Sequence, residues 1–146
     1  MNEPVAVLIH LIRSDSILGP AFAGRVRTGS AEQVDRRPYC LVWSVTNAPA
    51  DESIGGEVGV DVGTVQVDVY ADSFRGELGA NRLAARIRDV MAANSRGKFA
   101  NVFVASMMRS GGPHQFEERL GKGADEIIAR VTIDYRVHYH TVQVDE

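Results

Sequence analysis

Hydrophobic and polar positions alternate from Thr64 to Ala71, and then the period changes. Val65, Val67 and Val69 fall on one side of TVQVDVYA, and Gln66, Asp68 and Tyr70 on the other. That is the pattern of a strand with one buried face. From Ala80 the apolar positions recur at helical spacing, through Leu83, Ala84, Ile87, Val90 and Met91, which predicts an amphipathic helix. Asp72 or Ser73 is placed to cap it. A strand running into a helix that must cover a sheet is the nucleus of an α/β layer.

The rest of the chain reads around this unit. Glu3 to Arg13 (EPVAVLIHLIR) predicts a first helix, with Asn2 as its cap and Pro4 in its first turn. Asp15 to Ala23 contains Gly19-Pro20 and reads as a loop. Gly24 to Gly29 has room for a short strand, and Pro38 opens a strong one, PYCLVWSVT. Asn47 to Gly56 is a loop by composition. Val58, Val60 and Val62 then share one phase, opposite to that of Val65, Val67 and Val69. A bulge or bend at Gly63 would keep both sets on one face. The strand of Trp43 and this one form a hairpin with an acidic tip.

After the helix, which Asn94 or Gly97 terminates, Asn101 to Met108 predicts a strand. Arg109 to Gly123 has five glycine or proline residues and no period, and so reads as a long loop. Glu126 to Val142 alternates again. Ala129, Val131, Ile133, Tyr135, Val137 and Tyr139 lie on one face; Arg130, Thr132, Asp134, Arg136, His138 and His140 lie on the other. At ~3.3 Å per residue this run spans about 50 Å, more than a small sheet needs. The expectation is that it bends or pairs beyond the domain. The predicted fold is therefore α+β: a single domain over residues 1–146 with a mostly antiparallel sheet of four or five strands. An N-terminal helix and one long amphipathic helix pack on that sheet.

Composition changes this picture little. The chain has 146 residues, 45% hydrophobic and 24% charged, as an ordinary globular domain does. The apolar run Val5 to Ile12 carries His10 and lacks the basic start of a signal peptide; it is too short to span a bilayer. Cys40 sits in an apolar strand and reads as a buried thiol. Charge is more informative. Pro49 to Ser73 holds six acidic residues and no basic one, whereas Phe74 to Gly123 holds nine basic and four acidic, a net of +5. With an overall charge of −3, the chain lacks the basic balance of a nucleic-acid-gripping domain. Segregated charge instead suits complementarity within the fold or between copies.

Motifs that carry chemistry are scarce in the sequence. No glycine-rich phosphate loop is present, and Gly121-Lys122-Gly123 lacks the rest of one. No catalytic residue, cofactor site or metal site is assigned. His138 and His140 share a strand face, but two ligands without a third do not make a zinc centre. Asp51, Glu52, Glu57 and Asp61 lack the spacing of a calcium loop. Arg82 and Arg86 lie one turn apart on the polar side of the helix, where they suit an acidic partner. The candidate interface set is thus Asp51, Glu52, Glu57, Asp61, Arg82, Arg86, Arg136, His138 and His140. Trp43 and Tyr70 read as core or sheet-face aromatics.

Taken together, the landmarks resemble a known family. In order they are a short helix, GRVRTG, RPYCLVWSVT, TVQVDVYADSFRGELGANRLAARIRDVM and a terminal RVTIDYRVHYH. This order is similar to that of the small tail-completion or tail-terminator proteins of long-tailed bacteriophages, proviruses and gene transfer agents. Gly24 to Val26, Pro38 to Trp43, Val65 to Ala71, Leu83 to Met91 and Arg130 to Tyr139 carry the resemblance. Pro49 to Gly59 and Ser110 to Gly123 depart from it.

The resemblance implies a structural, non-enzymatic virion protein, assembled in the bacterial host cytoplasm. It would form a ring, usually a hexamer, at the head-proximal end of the tail tube. That ring ends tube polymerisation and meets the head's connector or stopper protein. DNA would pass through the lumen without specific binding, and no membrane is involved. The alternatives are a head-side neck adaptor or stopper, and a small metal-dependent enzyme.

Overall fold

The computed structural model describes residues 3–28, 36–49, 61–119 and 127–141. In chain order these form α1 (Glu3–Ser14), α2 (Leu18–Phe22), β1 (Val26–Arg27), β2 (Tyr39–Pro49) and β3 (Asp61–Ala71), followed by α3 (Ala80–Ala93), β4 (Gly97–Phe99), β5 (Val102–Arg119) and β6 (Ile127–Thr141). The strands make one sheet in the order β1-β2-β3-β6-β5-β4. The fold is α+β as expected, with two corrections. Among the described residues there are six strands, and the sheet is mixed because β1 runs parallel to β2. β1 falls within the short strand expected from Gly24 to Gly29; the unforeseen strand, β4, is an edge piece of three residues, too short to show a period.

The core lies between the helices and one face of the sheet. Leu8 and Ile12 of α1 and the stripe Leu83, Ala84, Ile87 and Met91 of α3 meet Cys40, Val42, Val65, Val67, Val69, Val131, Ile133 and Val137. This inner face is the one the alternation of β3 and β6 assigned to the core. The end of α1 is tied to the sheet by Arg13, which donates to the Val26 carbonyl.

Asp15 to Ala23 is not a plain loop, since it contains α2. The Asp15 carboxylate accepts the Ile17 and Leu18 N–H groups at 3.2 and 3.0 Å. Pro20 falls in the first turn, where a missing donor is harmless. Similarly, α3 does not begin at Asp72 or Ser73. Those residues make other contacts: Arg37 Nε donates to Asp72 at 2.6 Å, and the Arg75 N–H to Ser73 Oγ at 3.2 Å. The helix starts at Ala80, and the Ser73 and Phe74 carbonyls accept the Ala80 and Asn81 N–H groups at 2.9 and 3.2 Å. Backbone thus replaces a side-chain cap. The other end is as read, with Asn94 bonding back to the Val90 carbonyl at 2.8 Å.

The β2–β3 hairpin runs in register from Tyr39 opposite Tyr70 to Pro49 opposite Asp61, so Asn47 to Pro49 are strand rather than loop. Its irregularity lies between Ser44 and Thr46, at Val45, and not at Gly63. Gly63 pairs regularly with Asn47 on one side and Val137 on the other. The reason is that β3 is flanked along its length, so a bulge there would break two ladders; at Val45 it breaks one. Val58 and Val60 lie outside the described residues.

The expected loop from Arg109 to Gly123 is strand as far as Arg119. Register shifts between Val104 and Ser106, Arg109 and Gly111, and Gly111 and His114 interrupt the period that would have revealed it. The last strand neither leaves the domain nor lacks partners. β6 pairs with β3 from Ala129 to Tyr139 and with β5 from Ile127 to Thr141.

Candidate functional site

Alternation puts a second set of side chains on the sheet face opposite the helices. At its centre is Asp68, 1% exposed. Its carboxylate accepts from Thr132 Oγ1 at 2.6 Å, Trp43 Nε1 at 2.9 Å, Gln66 Nε2 at 3.1 Å and Arg130 Nη2 at 3.3 Å. Arg130 also donates to Glu118 at 2.6 Å, and its guanidinium lies over the rings of Tyr70 and Phe116 at 5.6 and 5.5 Å. Tyr70 stacks on Tyr39 with centroids 4.6 Å apart. Burial pushes the Tyr70 hydroxyl above its ordinary 10.0, so it stays protonated. Side chains from β2, β3, β5 and β6 are thereby joined. Beside this network Trp43, Met108 and Phe116 are 42%, 58% and 47% exposed.

The residues chosen from sequence separate into groups. Asp51, Glu52 and Glu57 lie outside the described residues. Asp61 is exposed at the start of β3. Arg136, His138 and His140 come together on the outer face of β6. Arg136 is exposed, His138 Nδ1 lies 3.1 Å from Ser106 Oγ, and the His140 ring is 5.0 Å from that of Phe103. Arg82 and Arg86 are on the helix side. Arg82 is exposed. Arg86 is bound within the subunit, with Nε and Nη2 donating to the Asp15 carboxylate at 3.0 and 2.7 Å. That guanidinium, together with the Ile17 and Leu18 N–H groups, holds Asp15 below its ordinary 3.8 against the opposing effect of burial.

Among the described residues no group of three or more His, Cys, Asp or Glu side chains is arranged to hold a metal. Cys40 is fully buried, and burial raises its thiol above the ordinary 9.0, which suits packing rather than nucleophilic work. The sequence reading missed the Asp68 network. Asp68, Arg130 and Thr132 all stood at polar positions, but only strand register brings them together.

No family model matches the chain, and no curated protein matches it. A solved structure does. A chain of the virion of a native gene transfer agent (GTA) particle matches it with a TM-score of 0.66 and 14% sequence identity, over 92% of both chains. The fold is shared. With so much of each chain covered, the likeness extends over most of the fold and not one hairpin.

Proposed function

We propose that this chain is a structural component of a tailed virion or gene transfer agent particle, and that it forms the ring that terminates the tail tube. The observation that carries the reading is the shared fold across 92% of both chains with a chain of the GTA virion. The order of sequence landmarks points the same way. A closed ring needs a heterologous interface, with two different surfaces on each subunit. This subunit has two unlike sides. One is the helix side with Arg82; the other is a sheet face with exposed Trp43, Met108 and Phe116 beside Arg136. In this reading the copies form a hexamer, the tail tube protein docks on one rim and the head connector or stopper on the other. DNA crosses the lumen without specific contacts.

The test is to mix the purified protein with tail tubes and, separately, with DNA-filled heads lacking tails, and to image both by electron microscopy. Rings capping tube ends are expected. Binding to heads alone would reassign the chain to a head-side adaptor or stopper. A monomer that binds neither would overturn the proposal.

A further inference from the structure

A cavity of about 250 Å³ opens between the C-terminal half of α3 and the inner face of β5 and β6, lined by Arg88, Asp89, Met91, Met107, Arg109 and Tyr135. Tyr135 is 3% exposed, and its buried hydroxyl has no hydrogen-bond partner among the described residues. Native folds rarely leave such a group unmatched, because it loses its water without gaining a partner. Burial pushes this phenol up to about 12 against the opposing charges of Arg88 and Arg109. It is therefore an O–H donor at physiological pH. Arg88 and Arg109 are both exposed. Arg109 uses one donor on the Gly112 carbonyl at 2.9 Å, which leaves most of its fork available. Two arginines and Asp89 give the cavity one net positive charge. That matches a single carboxylate better than a phosphate dianion or a nucleic-acid backbone.

The acidic segment from Pro49 to Ser73 supplies matching carboxylates. Within the subunit Asp68 is bound in the sheet network and Asp72 is bound to Arg37. Asp51, Glu52 and Glu57 fall in the sequence between the cross-strand partners Pro49 and Asp61, and Asp61 is exposed at the start of β3. On the basic side, Arg86 is already bound to Asp15. We infer that the cavity receives an acidic side chain from the hairpin of a second copy of this chain, with Arg88 and Arg109 pairing with the carboxylate and Tyr135 donating to it. The inference rests on the ring reading above. It moves the basic side of the interface from Arg82 and Arg86 to the other end of α3.

The test uses the full chain and measures self-association by sedimentation velocity, with thermal unfolding alongside. Arg88→Glu with Arg109→Glu should weaken association by about tenfold or more, as expected for losing a charged hydrogen-bonded pair. Adding Asp51→Lys, Glu52→Lys and Glu57→Lys to the same chain should restore it. Tyr135→Phe should weaken association while leaving the subunit's thermal midpoint equal or higher, because it removes an unmatched hydroxyl. Wild-type association with the arginine variants unchanged overturns the cavity but not the ring. Weakening without rescue overturns the hairpin as the source of the carboxylate. A lower midpoint for Tyr135→Phe overturns the unmatched hydroxyl. A wild-type chain that never associates, alone or on tubes, overturns the ring reading and this inference with it.

Discussion

Asp68 accepts hydrogen bonds from β2, β3 and β6 while almost fully removed from water. A buried carboxylate is tolerable only when its donors are in place. Asp68→Ala should therefore destabilise the fold by about 3 kcal/mol, because it strands the donors of Thr132 and Trp43 and leaves Arg130 with one carboxylate. Thr132→Val removes one bond and should cost about 1 kcal/mol. Urea unfolding of both variants measures the ratio, and equal small effects would mean that the network contributes little. Asp15 makes a pH prediction. Its folded pKa lies below 3.8, so its contribution is present above the unfolded value and is lost as pH falls through the folded one. Thermal midpoints of wild type and Asp15→Asn should differ at pH 7 and converge in acid. At this scale the sequence marked which positions were polar but not which would meet. The residues that bond to Asp68 from β2 and β6 lie 25 and 62 to 64 positions away along the chain.

At the scale of elements, β5 is the instructive case. Gly112 has φ +77°, and a Cβ added there would lie 2.4 Å from the Thr132 carbonyl oxygen. Gly112→Ala should cost about 2–4 kcal/mol by combining left-handed strain with a backbone clash. Denaturant titration checks this. A neutral result would show that the strand shifts easily there. The same irregularities that make Gly112 necessary hid the strand from a period-of-two reading. By contrast α1, α3, β3 and β6 kept uninterrupted patterns and were legible. The helix face also reads differently once folded. Arg86→Glu removes the Asp15 pair, so it would report on stability, and Arg82→Glu alone is the clean probe of the exposed face.

At the scale of the whole molecule, the hairpin separates folding from assembly. Pro49 and Asp61 are cross-strand partners, and eleven residues connect them. Deleting Asp51 to Gly56 removes six and leaves five, a length that still closes a hairpin. The deletion should leave the thermal midpoint close to wild type and abolish capping of tail tubes in electron micrographs. A large fall in the midpoint would place that segment in the core. By itself, the sequence determined the buried faces of α3, β3 and β6, the hairpin, the buried Cys40 and the α+β class. All of these follow from periodicity and composition over neighbouring residues. Only the tertiary structure decided the six-strand order, the position of the bulge at Val45, the pairing of Arg86 with Asp15 and the cavity beneath Arg88 and Arg109. Each depends on register between strands and helices far apart in the chain, and no local pattern encodes that register.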